Sequence, residues 1–197
     1  MDVLTLLADK YKTDKGSLRH KYTSFYHNFL KDIRHKKLNI LEIGVDYGYS
    51  IKMWLDYFPN SKIFGFDLFL HKDRLKSVNT IKNDRVVFIK GDQGDVSKLK
   101  EIPEIMGGTI DLVIEDGSHI YDHQQLCYEM FFPILSNGGY MIIEDLQTFR
   151  TTSTKIPTIQ YLESKNLPYL EQVEFIEFYN KGKSSKTSII KKKGVYE

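Results

Sequence analysis

The sequence predicts a doubly wound α/β fold, in which helices cover both faces of a mainly parallel sheet. Short β-rich runs alternate with stretches of helical periodicity, which is the order of right-handed βαβ units. The runs are almost entirely apolar, as expected of strands that are buried on both faces. A chain of 197 residues with a hydrophobic fraction of 41% is long enough for one domain with a substantial core.

Five strands and four connecting helices are predicted in the middle of the chain. The strands span residues 38–43, 62–66, 86–90, 110–114 and 139–143. The helices span residues 50–58, 72–81, 96–102 and 122–135. Each of the first four strands is therefore followed by a helix that can return the chain to the same edge of the sheet.

The two ends of the chain depart from this alternation. Residues 1–35 predict two helices on either side of a turn-like stretch at 12–17, and segments 173–179 and 187–191 predict a β-hairpin around 181–185. No internal repeat or linker divides the chain. We therefore expect one domain over residues 1–197, with a helical cap at 1–35 and a core at 36–197.

Composition narrows the class of protein. The net charge of +2 gives no push toward nucleic acid, and no apolar run approaches the roughly 20 residues of a membrane helix. The single cysteine, Cys127, excludes an internal disulfide framework and fits a reducing compartment. The first residues lack the pattern of a secretory signal. We expect a soluble, cytoplasmic protein.

A glycine loop closes the first strand and opens the next helix, with Gly44, Tyr47 and Gly48 in the segment Leu41-Glu42-Ile43-Gly44-Val45-Asp46-Tyr47-Gly48. Glycine there lets the backbone approach a ligand at the carboxyl end of a parallel strand. The spacing differs from the G-x-G-x-x-G that holds a dinucleotide pyrophosphate. The loop therefore favours a nucleoside cofactor without phosphate, namely S-adenosylmethionine (AdoMet).

Acidic side chains at the next two strand ends support the same cofactor. Asp67 follows the glycine loop by about 20 residues, where a carboxylate accepts from both ribose hydroxyls. Asp92, followed by Gln93, comes after the third strand and is placed to accept from the adenine amine. Each feature alone also fits a connecting turn or a helix N-cap. Their succession at three strand ends favours the cofactor.

Carboxylates also follow the fourth and fifth strands, in Glu115-Asp116-Gly117-Ser118-His119 and in Glu144-Asp145. Asp116, Glu144 and Asp145 offer the oxygen ligands that Mg²⁺ or Mn²⁺ prefers. A bound cation would lower the pKa of an acceptor hydroxyl, and neutral His119 could take its proton. Turn residues and N-caps are the alternative interpretation. His119 and His123 lack the adjacent glutamate of a zinc protease helix.

Six segments in this order resemble the metal-dependent sugar O-methyltransferases that modify deoxysugars of macrolide and polyketide antibiotics. They are Thr13-Asp14-Lys15-Gly16, Leu41–Val45, Gly91-Asp92-Gln93, Glu115–His119, His123-Gln124 and Gly138–Leu146. The resemblance runs from about residue 13 to about residue 150. It implies a Rossmann-like class I methyltransferase fold, which usually ends in an antiparallel hairpin.

The resemblance also implies roles for individual residues. Asp116, Glu144 and Asp145 would bind magnesium and His119 would be the base. Thr13 and Lys15 would lie near the amino-acid end of AdoMet, and the residues around the cofactor would be Glu42, Gly44, Asp67, Asp92 and Gln93. Tyr47 and Gly48 of the glycine loop and Glu115 are further candidates for cofactor binding. Glu115 stands where the family usually has aspartate. The acceptor would be a small glycoside, a nucleotide sugar or a glycan, and family habit favours a homodimer.

Three alternatives stay open from the sequence alone. They are a catechol- or flavonoid-type O-methyltransferase, an NAD-binding oxidoreductase, and a nucleic-acid-binding protein that uses the lysines at 181–193. Lysines on an exposed edge strand also discourage edge-to-edge pairing, and we prefer that interpretation. The sequence gives the least information about the acceptor pocket. The candidate lining residues are Tyr22, Tyr26, Tyr121, Phe149 and residues 150–156.

Overall fold

The computed structural model describes residues 1–146, 154–181 and 186–194. Its helices are α1 (Val3–Tyr11), α2 (Tyr22–Leu30), α3 (Tyr49–Tyr57), α4 (Lys72–Val78), α5 (Val96–Ile105), α6 (Tyr121–Phe131) and α7 (Thr158–Leu162). Its strands are β1 (Asn39–Ile43), β2 (Lys62–Asp67), β3 (Val86–Lys90), β4 (Ile110–Glu115), β5 (Leu135–Ile143), β6 (Val173–Asn180) and β7 (Lys186–Lys192).

The strands form one seven-stranded sheet in the order β3-β2-β1-β4-β5-β7-β6. Strands β1 to β5 pair in parallel with one another, whereas β7 is antiparallel to both β5 and β6. The five parallel strands, the two N-terminal helices and the C-terminal hairpin of the sequence prediction are thereby confirmed.

Helix α6 is shorter than predicted. It ends at Phe131, a single 3₁₀ turn spans Phe132–Ile134, and β5 already begins at Leu135. Pro133 explains the difference, because its ring and missing N–H are incompatible with a continuing α-helix. The sequence prediction also missed α7, a helix of five residues that is too short to show a hydrophobic period.

Successive residues of the strands point into two hydrophobic clusters, one on each face of the sheet. Ile40 of β1 packs with the cluster that includes α1, α2 and α3, and the next residue, Leu41, packs with the cluster that includes α5 and α6. Trp54 of α3 and Phe131 of α6 are fully buried on opposite faces. Each such side chain contributes roughly 2 kcal/mol by burial, which fixes the sheet between its helices.

The strand order places a topological switch point between β1 and β4. Helices that follow the strands on either side of this point lie on opposite faces of the sheet, which leaves a crevice outside the carboxyl ends of the strands. This crevice is where the predicted site residues should gather. Among the described residues, no helix combines the length and the apolar character needed to cross a membrane.

Candidate active site

The crevice at the carboxyl ends of the strands holds two adjoining cavities. The larger has a volume of about 950 Å³ and the smaller about 170 Å³. Gly44, Asp67 and Gly117 line both. Of the predicted site residues, the larger cavity is also lined by Thr13, Lys15, Tyr47, Asp116, His119 and Asp145, and the smaller by Asp92 and Gln93.

Gly44 brings the ends of β1 and β4 together. Its φ of +89° lies in the left-handed region, and a Cβ atom there would overlap the backbone carbonyl of Asp116. The amide of Asp116 donates to the carbonyl of Ile43 at 2.8 Å. Any side chain at position 44 would push the glycine loop away from the strand end that carries Asp116.

Asp67 holds the glycine loop in shape. Its Oδ2 atom accepts from the amides of Val45 at 2.8 Å and Asp46 at 3.2 Å, and its Oδ1 atom accepts from Phe69 at 2.8 Å. Gly48, in contrast, closes the turn before α3, with a φ of +76°. Asp67 therefore faces the cavities at the position predicted for a ribose carboxylate, and Gly48 has a role in the turn.

Gln93 connects the smaller cavity to a buried carboxyl group. Its side-chain oxygen accepts from the amide of Ser118 at 2.9 Å, and its Nε2 donates to Glu115 Oε1 at 2.5 Å. Glu115 is fully buried, and this burial raises its pKa to about 8. Asp92 accepts from the amide of Gly94 at 2.8 Å. Glu115 thus lies behind Gln93, whereas Asp92 and Gln93 line the cavity itself.

Glu42 is a second carboxyl group beneath the crevice. It is fully buried, and Trp54 Nε1 donates to its Oε1 at 3.3 Å. Burial raises the pKa of Glu42 to about 7, and the positive charge of Lys15 opposes that rise. Among the described residues its Oε2 atom has no hydrogen-bond partner. The Glu42 carboxyl group can therefore still accept one hydrogen bond.

An acidic site lies at the ends of β4 and β5, and we define it by Asp116, His119, Glu144 and Asp145. One ligand atom each from Asp116, His119 and Asp145 lies within 4.8 Å of the others. His119 Nε2 is 3.7 Å from Asp145 Oδ2. His119 and Asp145 have φ angles of 58° and 54°, which cost strain in residues other than glycine. Strained backbone thus points both side chains toward Asp116.

Glu144 differs from the other two carboxylates of the acidic site. Its side chain is only 2% exposed, and its Oε2 accepts from Lys15 Nζ at 2.8 Å. The Lys15 ammonium also donates to Asp116 Oδ2. Burial raises the pKa of both carboxyl groups, and the charge of Lys15 opposes the rise. Glu144 lies outside the group of three ligand atoms and next to a fixed cation.

Helix α2 and the loop that precedes it therefore supply partners to all three carboxylates. Lys15 contacts Asp116 and Glu144, and the hydroxyl of Tyr22 in α2 donates to Asp145 Oδ1 at 2.9 Å. The sequence placed Lys15 near the cofactor only by resemblance, and it offered Tyr22 only as a pocket candidate. Neither contact leaves a local pattern, because the partners are more than 100 positions apart in the chain.

Residues 41–146 match a family model described as a methyltransferase domain. The chain belongs to this family. A tetracenomycin-pathway sugar 3'-O-methyltransferase of Streptomyces olivaceus is 36% identical over 149 residues, which are 72% of this chain and 36% of that protein. Mycinamicin VI 2''-O-methyltransferase of Micromonospora griseorubida is 35% identical over 155 residues, which are 74% of this chain and 36% of that protein.

A solved structure has the same methyltransferase fold. The mycinamicin-pathway methyltransferase MycE, in complex with Mg, SAH and mycinamicin VI, superposes with a TM-score of 0.79 at 25% identity, over 98% of this chain and 54% of that chain. The chain thus spans about a third to a half of the length of these relatives. Membership of a methyltransferase family is at odds with the oxidoreductase alternative.

The acidic site fits a divalent cation. Three donor atoms of suitable chemistry converge within 4.8 Å, and among the described residues Glu144 Oε1 and His119 Nδ1 are buried without a hydrogen-bond partner. Carboxylate oxygens suit Mg²⁺ or Mn²⁺. A cation here would also compensate the repulsion between neighbouring carboxylates.

Three tyrosines that we predicted for the acceptor pocket are buried. Tyr22 and Tyr26 are fully buried in the core, and Tyr121 is 5% exposed. Tyr26 bonds to Thr187 at 2.9 Å. Aromatic residues at helical spacing are more often part of the core, as these are. Phe149 and residues 150–153 lie outside the described residues.

Proposed function

We propose that this methyltransferase domain transfers the methyl group of AdoMet to a sugar hydroxyl in the presence of Mg²⁺ or Mn²⁺. The observation that carries the proposal is the convergence of Asp116, His119 and Asp145 within 4.8 Å, beside a cavity with a ribose-type carboxylate. The relatives that methylate antibiotic sugars support the choice of acceptor. Asp116, Glu144 and Asp145 are the proposed oxygen ligands.

The two cavities divide the binding of AdoMet between them. Asp92 and Gln93 at the smaller cavity suit the adenine, and Asp67, which borders both cavities, suits the ribose hydroxyls. Gly44 leaves room for the cofactor backbone beside β1, with Tyr47 and Thr13 on the wall of the larger cavity. The methyl group would then point toward the acidic site at the ends of β4 and β5.

The proposed reaction is an in-line displacement. A bond forms between the acceptor oxygen and the methyl carbon, the carbon–sulfur bond breaks, and the sulfonium becomes a neutral thioether. The bound cation would lower the pKa of the acceptor hydroxyl and fix its direction. The Nε2 atom of neutral His119 takes the hydroxyl proton, and Asp145, at 3.7 Å, stabilises the resulting imidazolium.

Further properties are part of the same proposal. We infer that residues 1–197 act as a single methyltransferase domain, with residues 1–35 as the helical cap over the core. The acceptor is a small glycoside, a nucleotide sugar or a glycan. A homodimer, a cytoplasmic location and the absence of nucleic-acid and membrane partners complete the proposal.

Calorimetry with AdoMet and a turnover assay test the proposal together. The assay uses a panel of glycosides, nucleotide sugars and catechols, before and after EDTA and after Mg²⁺ is restored. We expect AdoMet binding and turnover of a sugar that EDTA abolishes and Mg²⁺ restores. Failure to bind AdoMet would overturn the proposal. If only catechols are methylated, the proposed sugar acceptor is wrong. If EDTA leaves turnover unchanged, the proposed metal dependence is wrong.

A further inference from the structure

We propose that Tyr22 is a positioning residue of the acidic site, whose hydroxyl holds one oxygen of Asp145 and leaves the other facing the metal. The inference rests on the proposed function, since it needs the divalent cation of that site. It deepens that function by adding α2 to the elements that shape the site. Tyr22 lines neither cavity of the crevice, so its effect on the metal passes through Asp145.

The hydroxyl of Tyr22 makes the contact that carries the proposal. It donates to Asp145 Oδ1 at 2.9 Å and also approaches the backbone carbonyl of Lys186 at 3.3 Å. A hydroxyl has one proton to donate, and the shorter contact is the one to the carboxylate, whose charge strengthens the bond. The other oxygen, Asp145 Oδ2, lies 3.7 Å from His119 Nε2. The bond from Tyr22 thus decides which oxygen of Asp145 faces the acidic site.

The backbone at the end of β5 is held at the same point. Asp145 has a φ of 54°, in the left-handed region, and such a residue persists only where its surroundings fix it. The amide of Leu146 donates at 3.0 Å to the carbonyl of Lys186, the same carbonyl that the Tyr22 hydroxyl approaches. Asp145 is therefore fixed through its side chain by α2 and through the next residue by β7.

Aromatic packing fixes the ring of Tyr22 before any cation binds. The side chain is fully buried. The His20 ring stacks on it at 5.0 Å with an interplanar angle of 16°, and Tyr179 of β6 meets it edge-on at 5.9 Å. A close-packed interior does not let a ring of this size turn away without moving its neighbours. The hydroxyl is thus prearranged for Asp145, as the support of a metal ligand has to be.

Tyr26 provides a matched comparison one turn later in α2. It is also fully buried, and its hydroxyl bonds to the hydroxyl of Thr187 at 2.9 Å. Thr187 in turn donates to the carbonyl of Ile143 at 2.9 Å. Both tyrosines therefore connect α2 with the β5–β7 part of the sheet. Tyr22 bonds to the side chain of a proposed ligand, whereas Tyr26 bonds to a threonine.

The test compares Tyr22→Phe with Tyr26→Phe by calorimetry with Mg²⁺ and by thermal unfolding without Mg²⁺. Tyr22→Phe should bind Mg²⁺ about tenfold to a hundredfold less tightly than the wild type, as for other losses of a group that supports a ligand. Tyr26→Phe should stay within about twofold. Each metal-free variant should unfold roughly 2–4 °C lower, because each loses one buried hydrogen bond. Equal Mg²⁺ affinity in the two folded variants overturns the proposal.

The Mg²⁺ dependence of turnover is an independent measurement. In Tyr22→Phe the half-saturating Mg²⁺ concentration should rise about tenfold or more, while kcat at saturating Mg²⁺ stays within about threefold of the wild type. The ligands themselves remain in that variant, so excess metal can refill the site. Tyr26→Phe should follow the wild-type curve. A kcat of Tyr22→Phe that stays low at saturating Mg²⁺ would place the defect outside the metal and overturn the proposal.

A crystal structure of the wild type with Mg²⁺ keeps the proposal testable even where Tyr22→Phe does not fold. The Tyr22 hydroxyl should remain on Asp145 Oδ1 and the cation should contact Oδ2. A cation on Oδ1, or a hydroxyl that has left Asp145, would contradict the role of Tyr22. If the wild type binds no Mg²⁺ in calorimetry, the proposed metal dependence fails before any variant is compared. The two failures are therefore distinguishable.

Discussion

The acidic site and the nucleoside side of the crevice, defined by Asp67, Asp92 and Gln93, are built in different ways. In the acidic site, Lys15 and its carboxylate partners are 101 and 129 positions apart in the chain, and Tyr22 and Asp145 are 123 apart. On the nucleoside side, Asp92 bonds to an amide two positions away, and Asp67 and Gln93 bond to amides no more than 25 positions away.

The two regions also differ in how far their polar groups are already paired within the protein. On the nucleoside side, Asp92 accepts from an amide of its own loop, and Asp67 and Gln93 accept from amides of the loops after β1 and β4. The acidic site gathers buried charges, two left-handed residues other than glycine and buried atoms that have no partner among the described residues. Natural proteins break local rules mainly at functional sites. The comparison therefore predicts that metal and AdoMet are bound by separable parts of the crevice.

The largest expected effect comes from Asp116→Asn. Loss of a ligand charge should abolish Mg²⁺ binding and lower kcat/KM by about a thousandfold or more, since the metal supplies several kcal/mol to the transition state. AdoMet affinity should change little. Calorimetry with each ligand and a turnover assay measure these effects.

Asp92→Asn on the nucleoside side is the matched variant for Asp116→Asn. It should weaken AdoMet binding and leave Mg²⁺ affinity near the wild-type value, because Asp92 lines only the smaller of the two cavities. If both variants lose both ligands, the two parts are coupled and the comparison fails.

His119→Asn tests the base, with a smaller expected effect. We expect kcat/KM to fall about a hundredfold or more, as for loss of a general base, with Mg²⁺ affinity within about threefold of the wild type.

A remote histidine provides the control for His119. His27→Asn removes a contact of 2.9 Å to Tyr57 and should leave the rate unchanged. Complete loss of Mg²⁺ binding in His119→Asn would show that the imidazole is a metal ligand and not the general base.

Glu42→Gln tests the buried charge beneath both parts of the crevice. Burial raises the pKa of Glu42 to about 7 from 4.5, so between these pH values the folded state binds more protons than the unfolded state. The free energy of unfolding should therefore fall as pH rises through this window, by up to about 3 kcal/mol from this group.

The glutamine variant should lack that decline. Denaturation followed by the fluorescence of Trp54, the single tryptophan, reports on this position directly, because its indole N–H contacts Glu42. Equal pH dependence in both proteins would show that Glu42 is ionised in the folded state throughout the window.

Strands and local turns were predictable because their signals are local. Gly44 directly follows the apolar run of β1, and Asp67 ends the apolar run of β2. Each run therefore predicts both the strand and the position of the loop after it. The end of α6 was missed because Pro133 ends a pattern that otherwise continues to Leu135. Hydrophobic periodicity predicts which face of a helix or strand is buried more reliably than it predicts the residue at which the element ends.

The acidic site was predictable only in part. Neighbouring parallel strands bring their carboxyl ends together, so Asp116 and Asp145 could be paired from the order of the elements. The Lys15 and Tyr22 contacts depend on how the N-terminal helices pack across the sheet, which no spacing in the chain encodes. Tertiary packing likewise decides which carboxylates Lys15 contacts, and its ion pair with Glu144 is the example.

The smallest expected effect comes from the hairpin lysines Lys181, Lys191 and Lys193, which line neither cavity of the crevice. Lys191 pairs with Glu174 at 3.0 Å, and the nearby charge of Lys21 lowers the pKa of Lys181. Neutralising Lys181, Lys191 and Lys193 to glutamine removes an exposed ion pair, an exposed bond from Lys193 to the carbonyl of Glu171 and one repulsion, so stability should change by less than about 1 kcal/mol. Turnover of a small glycoside should stay within about twofold. A collapse of turnover in the folded triple variant would instead favour a nucleic-acid acceptor that follows the hairpin, and methylation of RNA by the wild type would then have to be measured.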